Sequence, residues 1–261
     1  MNHDYVVSFT AGSSGRFLSA IIGQIVYDLK IIWPYSKYNS CHILGHVSAK
    51  IEFRNEEGVH SPRFWSNLFF HPTPELPVGI QQAHTYPNWD DIRNRENNFK
   101  IIIISYTPDD VLEIETNGLY KNIVELIEKD PSKPIEKHSH FMRMFAIGYY
   151  KLYGKKFDTS IPLDLKTIEE ICIMRGKKIS PPNDVFSFYS HNLYIPDDFL
   201  DRVLVIPFSN LTTQSENGYL VLDQLSKFIG KPANDVTLQN YKNYVDGRTR
   251  FIKNYAPWLK E

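Results

Sequence analysis

The sequence predicts an α/β fold: a three-layer αβα arrangement with a mostly parallel sheet, in a single domain spanning residues 1–261. Three observations carry this. Residues 6–29 read as strand, small-residue loop and periodic helix. Ile101, Ile102, Ile103 and Ile104 stand consecutively, as in a strand buried on both faces. Strands and helices then alternate along the chain, which implies parallel strands joined by helical crossovers.

Composition sets the outer bounds. With 261 residues, 42% of them hydrophobic, the chain is long enough to build one sizeable core. Its 29 Lys and Arg nearly balance 30 Asp and Glu, for a net charge of −1. No bulk attraction for nucleic acid follows, although a local basic cluster can still hold a small anion. Cys41 and Cys172 are too few for a disulfide framework or a Cys-rich zinc site, so a reducing compartment is expected. The apolar run from Tyr5 to Phe9 is too short for a signal peptide. No stretch approaches the roughly 18 apolar residues of a membrane span, so a cytoplasmic location is expected.

Each element has its own justification. Residues 6–10 read as the first strand and residues 11–15 as a loop of small side chains. Phe17, Leu18, Ile21, Ile22, Ile25, Val26 and Leu29 recur at helical spacing, and Pro34 follows the helix end. Residues 39–53 hold one expected strand, and the prolines of 71–77 exclude regular structure. A short strand is expected over 78–84. Asn88 caps a helix entry over 88–92. Residues 100–106 are the clearest strand. After it, Thr107 suits an N-cap, Pro108 the first helical position, and Asp109 and Asp110 the positive helix end. Helices are expected over 120–129, 139–153 and 165–174, and a loop over 180–190. Residues 202–208 form another buried strand. Tyr219, Leu222, Leu225 and Ile229 mark a helix stopped at Gly230. A last helix runs from Leu238 to Tyr255, with an expected interruption at Gly247. No internal repeat or linker divides the chain.

In such folds ligands bind beyond the carboxyl ends of the strands. Gly12, Ser13, Ser14, Gly15, Arg16 and Phe17 stand at the first strand-to-helix junction. Small residues expose backbone N–H groups there, the helix N-terminus favours negative charge, and Arg16 adds a cation. The same residues also suit a tight turn without a ligand. A Walker A loop is excluded, because Arg16 and Phe17 stand where its Lys and its hydroxyl belong. His84, at a strand end, has the chemistry of a general base or of an ordinary structural histidine. Ser105 and Thr107 sit at a second junction, whose N–H groups suit either a second anion or simple helix capping. Arg248 and Arg250 belong to the densest basic stretch near the C-terminus, which also reads as a solvated helix face. His138 and His140 lack the spacing of a zinc pair, and no metal site is expected.

In order and spacing these blocks resemble the cytosolic-type sulfotransferase family and its bacterial and viral relatives. Residues 12–17 are similar to the family's 5′-phosphosulfate loop. Ala83-His84-Thr85-Tyr86-Pro87 resembles the segment with its catalytic histidine. Residues 100–111 resemble its 3′-phosphate strand, and residues 203–211 and 222–232 its late strand, helix and Gly-Lys-Pro. At family motif positions this chain has Ser13 for lysine, Tyr106 for arginine and Ile114 for serine.

The resemblance implies a P-loop nucleotide-binding, sulfotransferase-like fold and transfer of a sulfonate from 3′-phosphoadenosine 5′-phosphosulfate (PAPS), without a metal. The acceptor would be a hydroxyl or amine of a small molecule or glycan. His84 would be the base and Arg16 the cation in place of the loop lysine. Residues 12–17, Ser105 and Thr107 would hold the donor, with Arg248 and Arg250 standing in for a C-terminal basic loop. Two other readings stay open: a nucleotide-dependent phosphotransferase on a P-loop scaffold, and a non-catalytic relative of the fold.

Overall fold

The computed structural model describes residues 4–10, 13–30, 67–70, 78–83, 86–94, 98–114, 149–150, 152–156, 166–167, 169–171, 173, 188–255 and 259. Among them are strands β1 (Asp4–Ser8), β2 (Asn67–Phe70), β3 (Ile80–Ala83), β4 (Phe99–Ser105) and β5 (Val203–Pro207). They form one sheet in the order β2-β3-β1-β4-β5. β1 pairs in parallel with β3 and with β4, and β4 in parallel with β5. β2 runs antiparallel to β3 at the edge. The sheet is therefore mostly parallel, and the chain has an α/β fold.

Ile101 to Ile104 are fully buried in β4, flanked by β1 and β5, so both faces of that strand are covered. β1 begins and ends two residues before the expected 6–10. Phe9 still donates its N–H to Ala83, but the carbonyl of Thr10 turns to accept from Ser13 and leaves the ladder.

Four helices are bounded by the described residues: α1 (Gly15–Tyr27), α2 (Trp89–Arg93), α3 (Leu220–Ile229) and α4 (Asp235–Tyr255). Asn88 caps α2 as expected, accepting from the amide of Asp91. Gly230 ends α3 at φ 81° and donates to Ser226.

Two expectations are corrected. Tyr219 does not start a helix; it lies in a small hairpin of β6 (Gln214–Ser215) and β7 (Gly218–Tyr219), with Gly218 at φ 127°. The last helix is not broken at Gly247, which lies buried inside a continuous α4. Packing along the helix outweighs the roughly 1 kcal/mol that glycine costs in a helix interior. Helical residues 149–150, 152–153, 166–167, 169–171 and 173 fall within two expected helices. The expected strand in 39–53, the 71–77 segment and the 120–129 helix lie outside the described residues.

Side chains at the helix ends fix α4 against α1. Asn234 accepts from the amide and hydroxyl of Thr237, capping α4, and its amide nitrogen donates to Asp28 at the end of α1. Lys231 donates to the carbonyl of Val26 in the last turn of α1, at 2.7 Å. At the opposite end, Phe17 stacks on Tyr244 with centroids 3.7 Å apart. The start of α4 thus lies by the end of α1, and the two helices run antiparallel.

A second set of contacts fastens the segment before β5. The Tyr86 hydroxyl and the Trp89 indole both donate to the carbonyl of Tyr194. Arg93 grips both carboxylate oxygens of Asp198 at 2.8 Å, which holds that carboxyl below its ordinary range.

Gly15 has no room for a side chain, because a Cβ there would lie 2.0 Å from the buried ring of Phe9. Gly15→Ala is expected to destabilise the fold by about 1–3 kcal/mol, the usual cost of overpacking. Equilibrium urea unfolding measures this, and an unchanged midpoint would show that Phe9 moves aside freely.

Burial pushes the Tyr27 hydroxyl up to about 12, where it donates to the carbonyl of Val78. In the unfolded chain the same group ionises near pH 10. Its contribution to stability is therefore fully present below about pH 10 and is lost as pH rises through about 12. Tyr27→Phe should flatten the fall in urea midpoint across that interval, and an identical pH profile would contradict this.

Candidate functional site

The sheet order creates a crevice. From β1 the chain goes toward β3, whereas from β4 it goes toward β5 on the other side. The carboxyl ends of β1 and β4 are therefore the switch point of the sheet, where α/β proteins bind ligands. Three described segments meet there: residues 9–10 and 13–17 after β1, residues 105–114 after β4, and the middle of α4.

The two strand-to-helix junctions differ. After β4, Thr107 and Asp110 close the junction themselves. The Asp110 carboxylate accepts from the Thr107 amide at 2.8 Å and from its hydroxyl at 2.9 Å. That N–H is already committed to an anion, the chain's own. After β1, the N-cap Ser14 makes no side-chain bond to the helix amides, and α1 has no acid in its first turn. Ser14 takes a left-handed backbone, φ 68°, and its hydroxyl turns toward α4.

Across the crevice the Tyr244 hydroxyl donates to Ser14 Oγ at 2.5 Å. Arg248, one turn further along α4, hydrogen-bonds the Tyr244 side chain. Its Nε and Nη2 each lie 2.6 Å from Oε1 of Glu113, in the helical segment 110–114 after β4. Phe208, just beyond β5, lies 4.5 Å beneath the guanidinium. One buried cation thus ties together the segments that follow β1, β4 and β5. Arg248 is only 6% exposed. Burial works against its charge, but Tyr244 and Glu113 outweigh this and hold its pKa above the ordinary value. Its Nη1 is buried without a hydrogen-bond partner, and so is Oγ1 of Thr10 at the start of the loop.

No family model, curated protein or solved structure matches the chain. The residues at the crevice therefore carry the functional reading.

The structure places the expected site residues unevenly. Ser14, Gly15, Arg16 and Phe17 are at the crevice as the first turn of α1 and its cap. Arg16 is exposed there, whereas the Phe17 ring is buried against Tyr241 and Tyr244. Ser13 is buried, and its amide and hydroxyl both donate to the carbonyl of Thr10. Ser105 is buried and accepts from Ser190 at 3.4 Å, and the Thr107 hydroxyl donates to the Asp110 carboxylate instead of accepting from a helix amide. Arg248 is at the crevice, and Arg250 is exposed on α4. Gly12 and His84 lie outside the described residues. Ala83, just before His84, ends β3 and pairs with Ser8 of β1. Among the described residues, no group of three His, Cys, Asp or Glu is placed to hold a metal ion.

Tyr244 and Glu113 were not singled out in the sequence. A signal for the α4 residues existed: Tyr241, Tyr244, Arg248 and Phe251 recur at helical spacing, so Arg248 stands on the apolar stripe rather than the solvated face. Glu113 gave no signal, because its partner is 135 residues away.

Tyr244→Phe keeps the ring stack and removes only the hydroxyl bonds to Ser14 and Arg248. It should cost about 1–3 kcal/mol, the penalty for orphaning buried polar groups. Tyr244→Ala should cost about 3–5 kcal/mol, because the ring is lost as well. Urea unfolding of both variants separates the two parts, and equal losses would assign everything to the ring.

Proposed function

We propose that the chain is a sulfotransferase-like enzyme on a three-layer P-loop α/β scaffold. It moves a sulfonate from PAPS to a hydroxyl or amine of a small-molecule or glycan acceptor. The observation that carries this reading is a buried arginine beside an uncapped helix N-terminus at the switch point of a parallel sheet. A helix N-terminus and a guanidinium both favour a phosphate-like anion. The unpartnered Nη1 of Arg248 and Oγ1 of Thr10 are hydrogen-bonding groups of the kind a bound anion satisfies.

The residues take distinct roles in this reading. The first turn of α1 orients the 5′-phosphosulfate. Arg16 meets negative charge growing on the bridging oxygen as the sulfur–oxygen bond breaks. His84, next after Ala83, takes the proton from the acceptor as its oxygen or nitrogen bonds to sulfur. Adenosine 3′,5′-bisphosphate leaves. Charge stabilisation of this kind comes from positioned amides and cations.

Calorimetry with PAPS, adenosine 3′,5′-bisphosphate, ATP and ATP with magnesium tests the donor. Binding of the first two, independent of magnesium, is expected. Binding of ATP alone, and only with magnesium, would replace sulfonate transfer by phosphoryl transfer. In single-turnover assays with labelled donor, His84→Ala should slow transfer by about 10²–10⁴ with donor affinity unchanged. Wild-type transfer by that variant would remove His84 from the reaction.

A further inference from the structure

The fork of Arg248 is already filled. Its Nε and Nη2 form the edge that guanidinium uses against carboxylates and phosphates, and both point at one oxygen of Glu113. The pair is neutral overall, so while Glu113 stays in place an incoming anion meets Nη1 alone and not the two-donor edge of the guanidinium.

The two partners are held very differently. The Arg248 side chain is 7% exposed, stacked over Phe208 and bonded to Tyr244, while the Glu113 side chain is 21% exposed. Glu113 also follows a surface turn whose cap is made by Thr107 and Asp110. Glu113 is the member that can swing out to water, and Arg248 is the fixed one.

We propose that Glu113 sets how the site reads a second anionic group: its carboxylate occupies the Arg248 fork, and a ligand carrying a second phosphate must displace it. The inference rests on the reading of the α1 N-terminus as an anion site. A ligand seated there and reaching toward α4 meets Tyr244 and then Arg248, two hydrogen bonds from Ser14. One phosphate at α1 leaves Glu113 undisturbed. A second phosphate competes with it, so part of its binding energy goes into moving the carboxylate. The same competition favours departure of a bisphosphate, because Glu113 returns to the fork.

The test compares adenosine 5′-monophosphate with adenosine 3′,5′-bisphosphate by calorimetry, on the wild-type chain and on Glu113→Gln. The wild-type chain should bind the two within about threefold of each other. Glu113→Gln should tighten the bisphosphate about tenfold or more and leave the monophosphate within about twofold, because like-charge repulsion is removed only for the second group. Adding Arg248→Met to Glu113→Gln should abolish the gain, and this double variant leaves no unpaired buried charge. A wild-type preference for the bisphosphate above about 100-fold overturns the proposal, even if Glu113→Gln does not fold. So does equal tightening of both ligands, or none. Monophosphate binding with an unchanged ratio rejects the role of Glu113 alone, whereas no binding of either nucleotide rejects the α1 site with it.

Discussion

A guanidinium held away from water constrains everything around it. Arg248 needs hydrogen-bond acceptors and a counter-charge within reach, because an unpaired buried charge is among the costliest defects a fold can hold. Glu113 supplies the counter-charge from the segment after β4. Tyr244 supplies a hydroxyl and passes the connection to Ser14 before α1. Phe208 supplies a ring face from just beyond β5. The carboxyl edge of the sheet is thus organised around one side chain that comes from the far end of the chain. Loss of either charge disturbs the relative placement of the loops, beyond the loss of one contact.

The two strand-to-helix junctions show how the same local architecture diverges in use. Both place a helix N-terminus at the carboxyl edge of a parallel strand. After β4 the chain brings its own carboxylate, Asp110, to the capping position, which satisfies the Thr107 amide internally. After β1 the cap residue turns its hydroxyl away to Tyr244, and no acid follows in the first turn. Among the described residues, the second arrangement brings neither a side-chain cap from Ser14 nor an acid in the first turn to the positive helix end. The difference lies in the few residues after each strand and could not come from fold class alone.

Local pattern made much of the sheet legible in advance. The isoleucine run of β4, the amphipathic period of α1, the cap at Asn88 and the stop at Gly230 each depend on neighbours a few residues away. Sequence spacing carries that kind of information. The antiparallel edge strand β2 is only four residues long and too short to display a period. Tyr219 matched the helical spacing of the residues after it, and the hairpin that claims it depends on Gly218 taking positive φ. Within the site, Gly15 read as a residue that opens the backbone to a ligand. In the structure it makes room for the ring of Phe9. Arg248 read as one of several solvated cations, because burial is a property of tertiary packing and its partner is remote in sequence.

The pinning of α4 at its start has a geometric outcome. α4 has 21 residues and α1 has 13. Because Asn234 aligns the start of α4 with the end of α1, the surplus projects past the first turn of α1. From Tyr244 to Tyr255 twelve residues, or roughly 18 Å of helix, stand above the carboxyl edge as an overhang. A helix wall has its amides and carbonyls bonded within itself. α4 would therefore address a molecule in the crevice through side chains alone, while the first turn of α1 can offer backbone donors. The two banks can then change independently: substitutions on the overhang would alter which molecule is selected without touching the amides that hold its anionic end.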